Sequence, residues 1–96
     1  MGLLNFLKRS KPDNSQEARR RTLLQHGRIT EAMIVDTEMN DAGDEIAHYV
    51  YSVQGVDFES SEILTEEQRM DQLKYAPGAT VTVRFDPRNH GNSILV

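Results

Sequence analysis

The 96-residue sequence contains no cysteine and no tryptophan, and only six of its residues are aromatic. Without cysteine there is no disulfide framework, thiolate nucleophile or zinc-thiolate site, so the fold is held by its core alone. Long hydrophobic runs are also lacking: no stretch approaches the roughly 20 apolar residues that a spanning helix needs. The opening Met1-Gly-Leu-Leu-Asn-Phe-Leu-Lys-Arg places its short apolar run ahead of its charges, the reverse of a secretory signal. Phe6 stands where a myristoylation motif wants Ser or Thr. These absences give the expectation of an intracellular, cytoplasmic chain. A chain of this length buries about 60–65% of the surface its unfolded form exposes, which means one domain, a small core and little room for a large cofactor; none is expected.

What is present is a division of charge. The net charge of −4 averages two unlike parts. Residues 1–28 hold seven basic residues (Lys8, Arg9, Lys11, Arg19, Arg20, Arg21, Arg28) against Asp13 and Glu17, a balance of +5. Residues 29–96 hold four basic residues against thirteen acidic ones, a balance of −9.

The chain divides accordingly. Residues 1–13 read as a flexible basic and apolar tail, since Pro12 discourages a helix through Ser10 and Lys11. Asn14 and Glu17 have the spacing of a capping box, which predicts a helix over 14–26 with Gly27 as its stop. That helix is expected to dock through Leu23 and Leu24, with Arg19, Arg20 and Arg21 fanned toward solvent. From residue 27 the period shifts toward two. Strands are predicted over 29–37 and 46–54, joined at the Asn40-Asp-Ala-Gly-Asp44 turn, with Tyr49, Tyr51 and Val53 facing the core. Gln54-Gly55 offers a tight turn into a strand over 56–63, which is expected to bring Phe58 near Val53. Thr65-Glu-Glu-Gln68 is a second capping-box signature, and with Met70 and Leu73 three apart it predicts a helix of about ten residues, stopped at Ala76-Pro77-Gly78. Residues 79–85 read as a strand with Val81, Val83 and Phe85 inward; residues 88–92 read as a loop by composition, and 93–96 as a short last strand. The expected fold is mainly β: a five-stranded antiparallel barrel or curled sheet over 27–96 with one inserted helix, preceded by an N-terminal helix.

The residues Tyr49-x-Tyr51-x-Val53-x-Gly55-x-x-Phe58 and Tyr75-x-x-Gly78-x-x-Val81-x-Val83-x-Phe85-Asp86-Pro87 resemble the pattern of a bacterial family, domain of unknown function 3592. Gly27 with Ala32 and Ile34, and Ser93 with Leu95, fit the two ends of that pattern. The resemblance implies a β-rich domain over about residues 27–96. It implies no reaction and no catalytic residue. Members of the family often carry membrane helices beside the domain, from which this sequence departs.

Asp44-Glu45, Glu59 with Glu62, Glu66-Glu67 and Asp71 are paired carboxylates, but they fall at turns, outward strand positions and a helix start. General acid–base work needs two carboxyls in a cleft with divergent environments. Asp86 reads as a turn-former before Pro87. His26, His48 and His90 show no ligand spacing, and no serine sits in a nucleophile elbow. No metal site and no catalysis are expected. Tyr49, Tyr51 and Phe58 have the composition of a stacking platform for nucleic acid, yet they stand in the −9 region, which repels a polyanion, so no specific nucleic-acid binding is expected.

The N-terminal segment is the strongest candidate for a contact. Leu3, Phe6 and Leu7 have the character of residues that insert at a surface, while Lys8, Arg9 and Lys11, with Arg19, Arg20 and Arg21 behind them, meet anionic lipid or an acidic partner. The expectation is a non-enzymatic interaction module tethered by its basic arm to a protein partner, a second copy or the inner membrane face. The alternative is a regulatory or assembly domain that takes a partner strand at an exposed edge such as Ser93–Val96.

Overall fold

The computed structural model of the chain describes residues 16–96. The expectations for residues 1–13 and for the capping box at Asn14 fall outside the described residues. Helix α1 occupies residues 16–26, and five strands follow: β1 (Arg28–Met39), β2 (Glu45–Val53), β3 (Val56–Ile63), β4 (Thr80–Asp86) and β5 (Asn89–Leu95). A short helix, α2 (Glu66–Arg69), lies between β3 and β4. The strands form one antiparallel sheet in the order β3-β2-β1-β4-β5, and its two outer strands come into contact, so the sheet curls into a nearly closed barrel.

Alternation decides which side chains fill it. Ala32 and Ile34 from β1, Ala47, Tyr49, Tyr51 and Val53 from β2, Val81, Val83 and Phe85 from β4, and Leu95 from β5 are buried in one cluster, while Ile94, opposite Arg84, is buried on the other face of the sheet. Tyr49 and Tyr51 stack at a centroid distance of 6.0 Å, and Tyr51 stacks on Phe58 at 5.6 Å. Leu64 and Tyr75 close the core from the connection between β3 and β4. The barrel is therefore filled by its own aromatic and branched side chains, as expected for a small barrel.

The β2–β3 hairpin turns on two residues, Gln54 and Gly55, both at positive φ (54° and 82°). That pair of angles matches the right-handed twist of the flanking strands, and glycine adopts it without steric penalty. The turn sets the register Val53↔Val56 and Tyr51↔Phe58. Phe58 thus stands opposite Tyr51 rather than Val53, because a two-residue loop pairs the residues that flank it directly.

Four further expectations are corrected. On α1, Leu23 is buried but Leu24 is 40% exposed, so a single leucine docks the helix. The inserted helix has four residues rather than about ten. Its capping box is complete: the Gln68 amide donates to Thr65 Oγ1 at 3.2 Å and the Thr65 amide to Gln68 Oε1 at 2.9 Å. Met70 and Leu73 are each 87% exposed and supply no buried face, and a helix this short does not persist without one. Residues 89–92 are strand, not loop. Asp86 Oδ1 accepts the Arg88 amide at 2.8 Å, which turns the chain at Pro87-Arg88 and pairs Asp86 with Asn89. Finally, the Ser93–Val96 edge is not exposed: Ser93, Ile94 and Leu95 are all fully buried.

Gly27 ends α1 as expected, for a reason of space. Its amide donates to the Leu23 carbonyl at 2.8 Å. A Cβ at this position would lie 2.5 Å from the Leu23 carbonyl oxygen and 2.9 Å from the Arg84 Cβ. The absence of a side chain lets the helix meet β4.

Candidate functional site

Two features stand out once the strands are in place: the seam between β3 and β5, and the outer face of β1, β2 and β3.

The seam is closed by side chains. Because β3 pairs Ala47 with Glu62, the alternation of Phe58, Ser60 and Glu62 points Glu62 inward, and its side chain has no solvent exposure. The Leu95 amide donates to Glu62 Oε1 at 2.6 Å, and Arg20 of α1 lies 3.2 Å from Oε2. Arg20 also donates to the Leu95 carbonyl at 2.8 Å, as does Gln68 of α2 at 3.2 Å. Three side chains thereby satisfy the edge of β5 in place of a sixth strand. Burial pushes the Glu62 carboxyl above its ordinary range, opposed by the Leu95 hydrogen bond and the charges of Arg20 and Arg19.

This arrangement revises two sequence expectations. Glu62 is not part of a solvated acidic face but a buried anchor. The three arginines of α1 do not fan out together: Arg20 is held in the seam, Arg19 is half-buried with its Nε enclosed and unpartnered among the described residues, and Arg21 is exposed. The signals for this pair lay in the sequence. Arg20 precedes Leu23 by three residues, on the face that docks, and Glu62 follows Phe58 by four residues in a strand of period two.

The outer face has a different character. Ile46, His48, Val50 and Ser52 of β2 stand opposite Ile63, Ser61, Glu59 and Asp57 of β3, and Met33 of β1 stands opposite Val50. A shallow depression of about 620 Å³ is lined by Glu31, Met33, Val50, Ser52, Asp57 and Glu59, among others. A second, of about 330 Å³, is lined by Val35, His48, Val50, Glu59 and Ser61. They share Val50 and Glu59 and form one trough along the sheet. Met33 is 45% and Val35 47% exposed, so the floor presents apolar groups between carboxylates. No lysine or arginine lines either depression.

Leu3, Phe6, Leu7, Lys8, Arg9 and Lys11, named from the sequence as contact residues, lie outside the described residues. The remaining candidates are separated. His48 pairs with Glu38 at 2.7 Å on the outer face, while His90 packs edge-on against Phe58 and Phe85 at centroid distances of 6.3 and 5.3 Å. His26 is exposed at the end of α1. Among the described residues no cluster of three or more histidines and carboxylates could hold a metal ion. The tyrosines named as a stacking platform are core: burial raises the phenols of Tyr49 and Tyr51, Tyr49 Oη shares a hydrogen bond of 2.8 Å with Ser93 Oγ, and Tyr51 Oη donates to the His90 carbonyl.

The motif residues are structural throughout. Tyr49, Tyr51, Val53, Tyr75, Val81, Val83 and Phe85 are buried, with Tyr75 Oη donating to the Val96 carbonyl at 3.2 Å. Gly55 makes the β2–β3 turn, the Gly78 amide donates to the Ile34 carbonyl at 2.7 Å, and Asp86 with Pro87 turns β4 into β5. A family model described as Domain of unknown function (DUF3592) matches residues 25–96. The chain belongs to this family. Its match begins within the last turn of α1 and takes in the whole barrel, so most of α1 and everything before it lies outside the DUF3592 domain. No curated protein and no solved structure matches the chain. Among the described residues no helix is long and apolar enough to cross a membrane.

Proposed function

We propose that the protein is a non-enzymatic interaction module in which the DUF3592 barrel is a rigid, acidic platform and the basic segment before α1 is the contact element, held against an anionic membrane surface. The observation that carries this reading is the division of charge, +5 over residues 1–28 and −9 over residues 29–96. The barrel supports it: its interior is occupied by side chains, and Arg20 is committed to the seam. Lys8, Arg9 and Lys11 then remain as the basic residues beside Leu3, Leu4, Phe6 and Leu7.

Each basic residue near an anionic surface contributes about 1 kcal/mol, so three contribute roughly a hundredfold in binding. Co-sedimentation of the full chain with phosphatidylserine-containing vesicles at low salt measures this. The variant carrying Lys8→Gln, Arg9→Gln and Lys11→Gln is expected to lose that factor, with its unfolding transition unchanged. Absence of binding by the full chain, or equal binding by the variant, rejects the membrane contact.

A further inference from the structure

We propose that the trough on the outer face of β1, β2 and β3 is the docking site of the chain's own residues 3–11. The inference goes beyond the membrane contact and does not rest on it.

The chemistry of the two surfaces is complementary. The trough sets Met33, Val35 and Val50 among Glu31, Asp57 and Glu59. Residues 3–11 set Leu3, Leu4, Phe6 and Leu7 beside Lys8, Arg9 and Lys11. An apolar run with adjoining cations fits an apolar floor with an acidic rim. The cationic half of the match is scarce elsewhere: Arg69, Lys74, Arg84 and Arg88 are the only basic residues after residue 28.

Gln16, the first described residue of α1, is placed for such a contact. Gln16 Nε2 donates to the Ile63 carbonyl at 3.3 Å, which fixes that end of the helix at the end of β3. The outward residues of β3, Ser61, Glu59 and Asp57, lead from there along the trough, and Glu59 lies about 13 Å from Ile63 and Asp57 about 20 Å. Extended chain from Gln16 reaches about 17 Å at Lys11, 27 Å at Lys8 and over 40 Å at Leu3. The basic residues are therefore within reach of Glu59 and Asp57, and Val50 and Met33, which stand level with Glu59 on the two neighbouring strands about 5 and 10 Å across, are within reach of the apolar run. A tether this short gives an effective concentration in the millimolar range, so a weak contact suffices to fill the site. The trough and an anionic surface would compete for the same side chains.

The lack of cysteine makes the test clean. Asn5→Cys introduces a single thiol, which takes a nitroxide label, and the amide spectrum of the isotopically labelled full chain is recorded at low ionic strength. The expected result is selective loss of the Val35, Val50 and Glu59 amide signals. Those signals should return at about 0.5 M salt, where the Debye length falls to a few ångströms. They should also return in a Glu31→Lys, Glu59→Lys variant, whose dispersed spectrum reports that it is folded. Undiminished signals on this face, or loss confined to another face, overturns the proposal. Loss that appears only when label and isotope are on different molecules overturns it as well, and assigns the trough to a second copy.

Discussion

Replacing Glu62 by alanine is expected to destabilise the chain by about 3–5 kcal/mol, the cost of removing one partner from a buried charged pair. The Leu95 amide and Arg20 both lose their acceptor, at a position where the Glu62 side chain has no solvent exposure. A domain of this size has a total stability on the order of 5–14 kcal/mol, so the loss consumes a large share of it. Glu62→Gln keeps an oxygen for the Leu95 amide but replaces Oε2, the acceptor that faces Arg20, by an NH2 donor, while Arg20 retains the Leu95 carbonyl; its cost is expected to be about 1–3 kcal/mol. The pH dependence distinguishes the two effects. The folded chain holds the Glu62 proton more tightly than the unfolded chain, because burial raises the carboxyl. Between the unfolded and folded pKa values the folded state binds more protons, so the stability this residue contributes falls as pH rises through that window and is greatest below it. Urea titrations across the acid range should show this slope in the natural chain and not in Glu62→Gln.

Tyr49→Ala is expected to cost at least about 3–5 kcal/mol. Tyr49 is fully buried, stacks on Tyr51 and shares its hydroxyl with Ser93, so alanine opens a cavity at the centre of the barrel and leaves the buried Ser93 hydroxyl without that partner. Tyr49→Phe isolates the polar component and should cost about 1–3 kcal/mol. Adding Ser93→Ala to it should recover most of that loss, since the pair is then replaced by apolar groups of similar shape. Chemical denaturation of the two single variants and the double variant measures the coupling. Full additivity would mean that the two hydroxyls do not depend on each other.

These residues also show what was legible in the sequence. Tyr49, Tyr51 and Val53 declare themselves by strict alternation, and the Gln54-Gly55 turn by its length, because both are local properties of the backbone. The last strand declares only its second half, Ser93–Val96: Asn89-His-Gly-Asn92 has the composition of a loop, and it is strand because Asp86 and Pro87 turn it back onto β4. The second helix failed in the opposite sense. Its capping box forms as read, but propagation needs a buried face, and Met70 and Leu73 have none. At Glu62 two sequence signals conflict. Charge argued for solvent and alternation argued for the interior, and alternation prevailed because Arg20 and the Leu95 amide satisfy the carboxylate there. The pairing of residues 20, 62 and 95 is tertiary, and no local pattern contains it. The outer trough is tertiary in the same sense, since Met33, Val50 and Glu59 become neighbours only through the register of three strands.

The basic cluster of α1 is thus divided: Arg20 closes the barrel, and Arg21 is exposed. Thermal unfolding of Arg20→Gln beside Arg21→Gln tests this division most directly, because each variant removes one positive charge from the same helix. Arg20→Gln is expected to lower the midpoint by roughly 10 °C or more, from a loss of about 2–3 kcal/mol in a chain of this size. That loss should shrink as the pH falls and Glu62 takes up its proton, while Arg21→Gln should stay within about 0.5 kcal/mol of the natural chain. Equal shifts in the two variants, or no shift in Arg20→Gln, would contradict the account.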